Sequence, residues 1–426
     1  MRHFSLFGVL LAVSTNAACA DLNLLDGLTT SLVLEGERQF EQKGGALDPD
    51  RTLVPVADHS MRGVLRVGYS LYWDDYSIEL RSRPSYSDSD EAGVNGEFQQ
   101  RTEHFSVNYS GSLVTLSGGV TNFIEGAGYS WNPSNPFAEI RHNEKDNASQ
   151  YVREGDPYFS AKLDGSDYGV RLLWTDFKNS EQDNQLYEGR LNSYAIKANF
   201  LLEASEVSAT GALLQDKQFY GSSVSSTFGD QLELHGEVGV VEKGHSLEFV
   251  STDVNLGPQT LSLYELQREE DEGWDTRLLL GGQYTFTDNT NVIVEYLYNG
   301  SGYSDSDWKR YRQAVEDASA NQQDPVLGSA HRGFLLNTHS TIGLFRQHYL
   351  FARVAFAGSG DSDTLSLLAR FNLHDESFLA GINKVWNIGD SWITNMSMNG
   401  FKGKAYSEYG WVPYELQLQA SVEYFF

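Results

Sequence analysis

The sequence predicts an all-β protein, a transmembrane antiparallel up-and-down β-barrel of about 18 strands. Three observations predict this fold. The chain starts with an export signal, it contains many segments of about ten residues in which apolar and polar side chains alternate, and the connections between these segments are alternately short and long. A misassigned strand pair would change the number to about 16 or 20 strands and leave the barrel prediction unchanged.

Residues 1–20 have the three parts of a secretory signal peptide. Arg2 supplies a short basic region, residues 4–13 are an apolar run, and 18–20 read Ala-Cys-Ala, a small-x-small cleavage site. Cys19 would instead be lipidated in a lipoprotein, but such a signal has a residue like Leu where this chain has Asn16. Cleavage after Ala20 leaves residues 21–426 as the barrel, without cysteine and so without a disulfide or a thiolate metal site.

The charge balance and the hydropathy pattern exclude two classes of protein. The chain has 58 acidic and 31 basic residues, a net charge of −27, which argues against a nucleic-acid partner because such binding requires basic surface. After the signal no apolar stretch is long enough for a membrane-spanning helix. A soluble exported β-protein and a membrane barrel remain, and we predict no cofactor and no metal site for either.

The period-two pattern separates these two classes. In segment 364–373 the odd positions are all apolar, whereas the even positions include Ser366, Arg370 and Asn372. The predicted strands are 28–38, 63–73, 76–83, 101–109, 112–121, 157–164, 167–176, 190–202, 205–214, 230–240, 245–252, 274–286, 291–299, 348–357, 364–373, 377–386, 390–401 and 413–426.

The connections provide an independent test. A barrel with both termini in the periplasm has short turns after its even strands and longer loops after its odd strands. Short connections are predicted at 74–75, 110–111, 164–166, 242–244, 287–289, 358–363 and 387–389. Long loops are predicted at 39–61, 84–100, 122–156, 177–189, 215–229, 253–273, 300–347 and 402–412. The apolar segments 259–267 and 334–345 are assigned to these outer loops.

The last strand carries the most specific signal. Phe426, Tyr424 and Val422 share one face, and Glu423 and Ser421 face the other way. This ending resembles the signature that the outer-membrane barrel-assembly machinery reads in Gram-negative bacteria. The resemblance implies that Tyr424 and Phe426 are an assembly signal and that the partners are this machinery, periplasmic chaperones, outer-membrane lipids and lipopolysaccharide. Candidate aromatic residues for the membrane interfaces are Trp73, Trp174, Tyr194, Tyr284, Tyr298, Trp392 and Tyr424.

The faces opposite the apolar ones would line the barrel interior. The predicted basic lining residues are Arg62, Arg66, Arg81, Arg83, Lys162, Arg171, Lys197, Arg277, Arg353 and Arg370. The predicted acidic ones are Glu79, Glu233, Glu237 and Glu248, with His235 among them. Basic and acidic stripes on different walls would set up a transverse field in a water-filled lumen. The alternative is that these charges pair across neighbouring strands and only support the wall.

Two loops are distinctive. Loop 122–156 contains the run Trp131, Asn132, Pro133, Asn135, Pro136 and Phe137, whose X-Pro steps favour a fixed path. It resembles the constriction loop of substrate-selective porins and alginate-export-type barrels, which implies that it folds into the barrel. An extracellular cap without effect on transport is the alternative. In loop 300–347 a short helix is predicted from Trp308, with Ser306 and Asp307 as capping residues.

These observations favour a porin-like channel for passive diffusion of small polar solutes, anionic ones included. Motifs of hydrolases and phosphate-binding enzymes do not occur in the chain, so we predict that it is not an enzyme. Two alternatives stay open: a plugged structural, adhesive or export-associated barrel, and an outer-membrane lipid hydrolase. The transported solute, the direction of transport and the oligomeric state are not determined by the sequence.

Overall fold

Eighteen strands form one closed antiparallel sheet in the computed structural model, which confirms the predicted fold. The barrel closes because the first strand pairs with both the second and the last. The structure describes residues 27–41, 47, 53, 59–89, 97–123, 125–137, 155–178, 190–214, 217–242, 245–256, 259–270, 273–340, 346–357 and 364–426. The predicted signal peptide, residues 1–20, lies outside them.

The barrel strands follow one another around the wall in chain order. They are β1 (Leu28–Glu41), β2 (His59–Trp73), β3 (Tyr76–Ser89), β4 (Glu97–Ser110), β5 (Val114–Thr121), β6 (Asp156–Asp164), β7 (Tyr168–Lys178), β8 (Arg190–Leu202), β9 (Ser205–Leu214), β10 (Lys217–Phe228), β11 (Leu232–Glu242), β14 (Trp274–Thr285), β15 (Asn291–Asn299), β16 (His348–Ala357), β17 (Thr364–Asn372), β18 (Phe378–Ile388), β19 (Trp392–Lys402) and β20 (Tyr414–Phe425). A separate two-stranded sheet contains β12 (His245–Leu256) and β13 (Gln259–Glu270).

Side-chain exposure separates the two faces of the wall. In β1, Leu32 and Leu34 are exposed, whereas Val33 and Glu35, which alternate with them, are buried. Residues that pair directly across two strands point to the same side of a sheet, so the ladder extends this assignment from strand to strand around the barrel. The outer face is apolar and the inner face carries the polar and charged side chains.

The predicted strand number is right, but two segments were assigned wrongly. Segment 217–228, predicted as part of a loop, is the barrel strand β10. Segment 245–252, predicted as a barrel strand, lies in β12, which pairs with β13 outside the barrel sheet. As a result β14 is the next strand of the barrel after β11, and residues 243–273 connect the two; the predicted turn at 242–244 lies mostly outside the described residues. Segment 259–267, assigned to an outer loop, belongs to this connection.

Serine residues explain why the alternation of apolar and polar residues did not predict β10. Its outer face includes Ser222 and Ser226, where other strands have Leu, Val or aromatic residues. The hydroxyl of Ser222 donates to the carbonyl oxygen of Ser208 at 2.9 Å, and the hydroxyls of Ser226 and Ser205 lie 2.7 Å apart. These hydroxyls are satisfied within the wall, so β10 does not need the alternating pattern to pair with β9 and β11.

One end of the barrel has tight turns. At this short-turn end the left-handed conformation occurs at Asp74, Asn289 and Gly389, with φ of 46°, 63° and 62°, as two-residue and other tight hairpins require. Aromatic side chains surround the same end on the outer face, where Trp392 and Tyr424 lie 4.6 Å apart between ring centroids.

Several loops pack together at the opposite, long-loop end. Helices α1 (Asp305–Ala320) and α2 (Gly328–Ser340) share a buried cluster that includes Trp308, Tyr311 and Trp411. The predicted helix is therefore present, although its N-cap is Ser304 and not Ser306 or Asp307. No helix in the part of the chain that the structure describes is long and apolar enough to cross a membrane.

The β12–β13 hairpin is fastened to these helices by hydrogen bonds. The hydroxyl of Tyr264 donates to a carboxylate oxygen of Asp317 at 2.8 Å, and Nε2 of His331 lies 2.9 Å from the carbonyl oxygen of Ser262. Burial and the bond to Asp317 raise the pKa of Tyr264 to about 12. The described loop segments that contain the β12–β13 hairpin, α1, α2 and Trp411 thus form one packed cap.

Candidate functional site: the inner wall and the loop folded against it

Residues 125–137 lie inside the barrel, and Glu237 on β11 holds the middle of this segment. The carboxylate of Glu237 accepts hydrogen bonds from the backbone N–H groups of Ala127, Gly128 and Ser134, the last two at 2.8 Å and 3.0 Å. It also accepts from the Ser134 hydroxyl at 2.7 Å. Glu237 is almost fully buried, so the loop covers it completely. We call residues 125–137 the inner loop.

A second buried carboxylate, Glu295 on β15, holds the next part of the inner loop. It accepts from the backbone N–H groups of Tyr129 and Ser130 at 2.6 Å and 2.8 Å and from the Ser130 hydroxyl. Nε2 of His235 lies 2.9 Å from Oε1 of Glu295, the oxygen that also accepts from Tyr129. The two carboxylates therefore take up a run of backbone donors that would otherwise be buried without acceptors.

Small and apolar residues of the wall let the inner loop approach closely. A Cβ atom at Gly239 would lie 1.9 Å from the carbonyl oxygen of Pro133, so only glycine fits there. Trp131 is buried in a cluster that contains Leu279, and Tyr129 stacks on Phe351 at 5.7 Å between centroids. The inner loop thus contacts strands of the wall from β6 to β16.

The beginning of the inner loop is tied to basic residues of β7 and β8. The carboxylate of Glu125 accepts two hydrogen bonds from Arg171, one of them at 2.5 Å, and one from Lys197 at 3.0 Å. Burial alone would raise the pKa of Glu125, but the hydrogen bonds and charges of Arg171 and Lys197 outweigh it and lower the pKa to about 2. Glu125 is therefore ionised throughout the ordinary pH range.

This ion cluster should make part of the loop attachment acid-sensitive. Because the folded pKa of Glu125 is lowered from 4.5 to about 2, its stabilisation is complete above the first value and is lost as the pH falls through the second. Single-channel conductance of the wild type should change in this acid window. The Glu125→Gln variant lacks the ionic contacts at every pH and should not show this step. Identical acid profiles would contradict the assignment.

The predicted basic residues of β6, β7, β8, β14, β16 and β17 all lie on the inner face. Lys162, Arg171 and Lys197 pair directly across β6, β7 and β8, which puts them in one row. Lys162 lies 2.8 Å from Asp164. The guanidinium groups of Arg277 and Arg353 lie over the rings of Trp131 and Tyr129, so both support the inner loop. Arg370, next to Phe351 in the ladder, is buried.

The predicted basic wall of β2 and β3 is partly neutralised. Arg66 forms an ion pair with Glu423 at 2.6 Å, and Arg83 forms one with Glu103. Arg62 donates to the Ser85 hydroxyl at 3.0 Å. Arg81 is exposed on the inner face, and among the described residues no carboxylate lies within salt-bridge distance of it.

Three of the four predicted acidic lining residues lie on the inner face of the barrel, and the fourth does not belong to a barrel strand. Glu79, Glu233 and Glu237 lie on the inner face, as does His235. Glu233 accepts from Ser225 at 2.7 Å and from Gln283 at 2.5 Å, so it supports the wall. The assignment of Glu248 to the pore was wrong, because β12 pairs with β13 and is not part of the barrel. A strand pattern indicates a strand but not the sheet to which it belongs.

The predicted lining residues did not include several carboxylates that the structure brings into the interior, among them Glu35, Glu103, Glu125 and Glu295. Glu423 was placed on the inward face of the last strand but was not named as a lining residue. Glu295 had a usable signal, since it is the one charged residue in the strand sequence NVIVEYLYN and pairs with inner-face positions. Glu125 had none, because it lies in a loop without an alternating pattern and its partners Arg171 and Lys197 are far away along the chain.

The predicted loop residues are all near the wall. Asn132 is buried, and its carbonyl accepts from the backbone N–H of Asn135 at 3.1 Å, which forms a turn through Pro133. The Asn135 side chain donates to the carbonyl of Phe123 at 3.0 Å. Pro136 and Phe137 follow, and Phe137 packs 5.6 Å from Phe123 between ring centroids.

The predicted assembly residues end the last strand on the outer face. Tyr424 packs against Phe426, with 5.0 Å between ring centroids. The backbone N–H of Phe426 donates to the carbonyl of Thr30 at 3.2 Å, and Phe426 is 75% exposed. The terminal aromatic side chain is thus accessible at the short-turn end.

Comparisons with solved structures show proteins with the same fold. OccK8 (OprE) of Pseudomonas aeruginosa matches with a TM-score of 0.54 and 8% identity over 95% of this chain and 99% of that chain. OccAB1 of Acinetobacter baumannii matches with a TM-score of 0.53 and 10% identity over 95% and 99%. The outer membrane protein OprD of P. aeruginosa matches with 0.50 and 9% over 94% of each chain. No protein-family model and no curated protein matches the sequence. These similarities show the fold, a closed barrel of the outer-membrane porin type.

Proposed function

We propose that this chain, which has the fold of the outer-membrane porins, is a channel in the outer membrane of a Gram-negative bacterium through which small polar solutes diffuse. The apolar outer face would contact lipid, and the closed sheet satisfies the backbone groups that lipid cannot. We also propose that residues 1–20 direct export and that the barrel-assembly machinery recognises Tyr424 and Phe426.

The inner loop is the observation that carries the proposal. It is folded against the inner wall and held there by Glu237 and Glu295, two carboxylates that its backbone donors cover. A loop that only capped the barrel would not need such buried acceptors. A loop held along one wall narrows the lumen and leaves the opposite wall, with its polar side chains, facing the remaining space.

The charges support a role for anionic groups in this passage. Arg81 is exposed on the inner face outside any ion pair of the described chain, and Arg171 and Lys197 together carry one positive charge more than Glu125, with which both pair. These cations would attract the charged group of a solute, while a water-filled path lowers the barrier for its polar part. We propose a channel and not an enzyme.

The packed cap supports a second candidate. Loops of the long-loop end share a buried cluster with Trp308, Tyr311 and Trp411, and several inner-face residues below it, such as Leu279 and Leu297, are fully buried. If the cap and the inner loop together leave no water-filled path, the barrel is a structural or adhesive one.

Conductance separates the two candidates. The refolded chain would be inserted into a planar bilayer and measured at two salt concentrations, with the reversal potential in a salt gradient. We expect stable conductance steps and entry of gluconate into proteoliposomes at least as fast as that of glucose, which is similar in size and uncharged. A folded, inserted and electrically silent barrel would support the plugged barrel. Open steps with exclusion of gluconate would contradict the anion preference alone.

A further inference from the structure

A lysine on the outer face of β18 lies where the wall is otherwise apolar. Lys384 pairs directly with Leu365 on β17 and with Met396 on β19. Met396 is exposed, and Leu367, which points the same way as Leu365, is exposed too. Directly paired residues share a face, so Lys384 points out of the barrel.

The ammonium group of Lys384 has no anionic partner in the part of the chain that the structure describes. Its Nζ atom lies over an aromatic ring, 5.7 Å from the ring centroid of Trp386. Lys402, another outward lysine, lies at the last position of β19 at the long-loop end, where it can reach water. Lys384 lies further from the long-loop end than Lys402 does.

The register places Lys384 within the membrane-spanning band. It lies four residues before Ile388, at the end of the β18–β19 hairpin, which corresponds to roughly 10 Å above the short-turn end for a tilted strand. A lysine on the lipid face destabilises a barrel with a cost that falls toward the interface, so its long side chain should extend toward the nearer headgroups. Trp386 lies on that side, which agrees with the position of Nζ.

The neighbouring side chains provide further donors and an interfacial belt. Trp386 pairs directly with Thr394, so an indole N–H and a hydroxyl belong to the same outer-face patch as the ammonium. Trp392 and Tyr424 follow at the end of the barrel, where aromatic residues lie at headgroup level. A cation with two neutral donors above this belt matches a phosphate in charge and in hydrogen bonding.

We propose that Lys384, Trp386 and Thr394 form a binding site for the phosphate of an anionic phospholipid in the leaflet at the short-turn end. The proposal rests on the barrel spanning a membrane, as proposed above, but not on the channel being open. A lipid is favoured over a second copy of the chain as the occupant because the ammonium is directed to the headgroup belt and not toward an acidic outer-face residue.

Native mass spectrometry tests the site directly. The refolded chain in a non-ionic detergent would be titrated with short-chain phosphatidylglycerol. We expect the Lys384→Gln variant to bind the lipid about five-fold more weakly than the wild type, the effect of one basic residue at an anionic surface. Lys384→Arg should bind nearly as the wild type does, and Lys402→Gln should be a matched control with unchanged affinity.

Three outcomes would overturn the site. Equal lipid binding by wild type and Lys384→Gln would remove the role of the ammonium. Displacement of the lipid by equimolar inorganic phosphate would assign the site to free phosphate. Oligomers that dissociate in Lys384→Gln with lipid binding unchanged would show a subunit contact instead. Failure of the wild type to insert into vesicles would contradict the membrane proposal itself, and insertion is measured separately by heat-modifiable electrophoretic mobility.

Discussion

Replacing Glu237 and Glu295 together by glutamine should release the inner loop and raise single-channel conductance. Each carboxylate accepts from several donors of the loop, and a glutamine amide presents N–H groups to part of them. A buried donor left without an acceptor costs about 1–3 kcal/mol. Because several donors of the loop lose their acceptors together, we expect the summed cost to exceed the free energy that attaches the loop to the wall. The measurement is conductance in planar bilayers together with the size limit for sugars entering proteoliposomes.

Two further variants make this test specific. Glu233→Gln removes an inner-face charge of the same strand as Glu237 but one that bonds to Ser225 and Gln283, so it should leave the size limit unchanged. Gly239→Ala keeps both carboxylates and places a Cβ 1.9 Å from the Pro133 carbonyl oxygen. It should therefore displace the loop by a steric clash while the hydrogen-bond acceptors remain. Unchanged conductance in a folded double variant would mean that this loop does not limit the passage.

Replacing Arg66 by glutamine should weaken the closure of the barrel. Arg66 is paired with Glu423 on the last strand at 2.6 Å, and Ser31 of the first strand donates to the same carboxylate at 2.6 Å. Glu423 would be left largely buried without its cation. Breaking a fully buried pair costs roughly 3–5 kcal/mol, and the partial exposure of Arg66 reduces our expectation to about 2–3 kcal/mol. Urea unfolding of the refolded barrel in detergent measures this loss.

Arg81→Gln is the matched control for charge. It removes the same charge from an exposed inner-face residue outside any ion pair of the described chain, so its stability should stay within about 0.5 kcal/mol of the wild type. Both variants should shift the reversal potential toward cation selectivity. A reversal potential unchanged by Arg81→Gln would contradict a role of this wall in selectivity, and equal stabilities of the two variants would contradict the role of Arg66 in closure.

Strand faces could be predicted from the sequence because they depend on a local period of two. The alternation in 364–373 correctly separates exposed Leu367 from buried Arg370. The ending at Phe426 similarly indicated a last strand, and the structure pairs that strand with the first. Each of these features depends on whether a given side chain lies on the apolar outer face or in the barrel interior.

Membership in the barrel could not be predicted for β10 and β12. Hydroxyl groups that bond within the wall let β10 enter the barrel without an alternating pattern, whereas β12 has the pattern but finds its partner in β13. Which strand pairs with which depends on backbone hydrogen bonds between segments distant in sequence, and the side-chain pattern does not report them.

For this protein the sequence by itself determined a closed barrel with an apolar outside, a charged inside and an aromatic-ended last strand. Only the tertiary structure decided that Glu237 and Glu295 hold the inner loop, that Glu423 neutralises Arg66 and that Lys384 has no anionic partner among the described residues of the outer face. The physical reason is that a charge acts through its neighbours within a few ångströms. In a barrel those neighbours come from other strands and from a loop that returns inside.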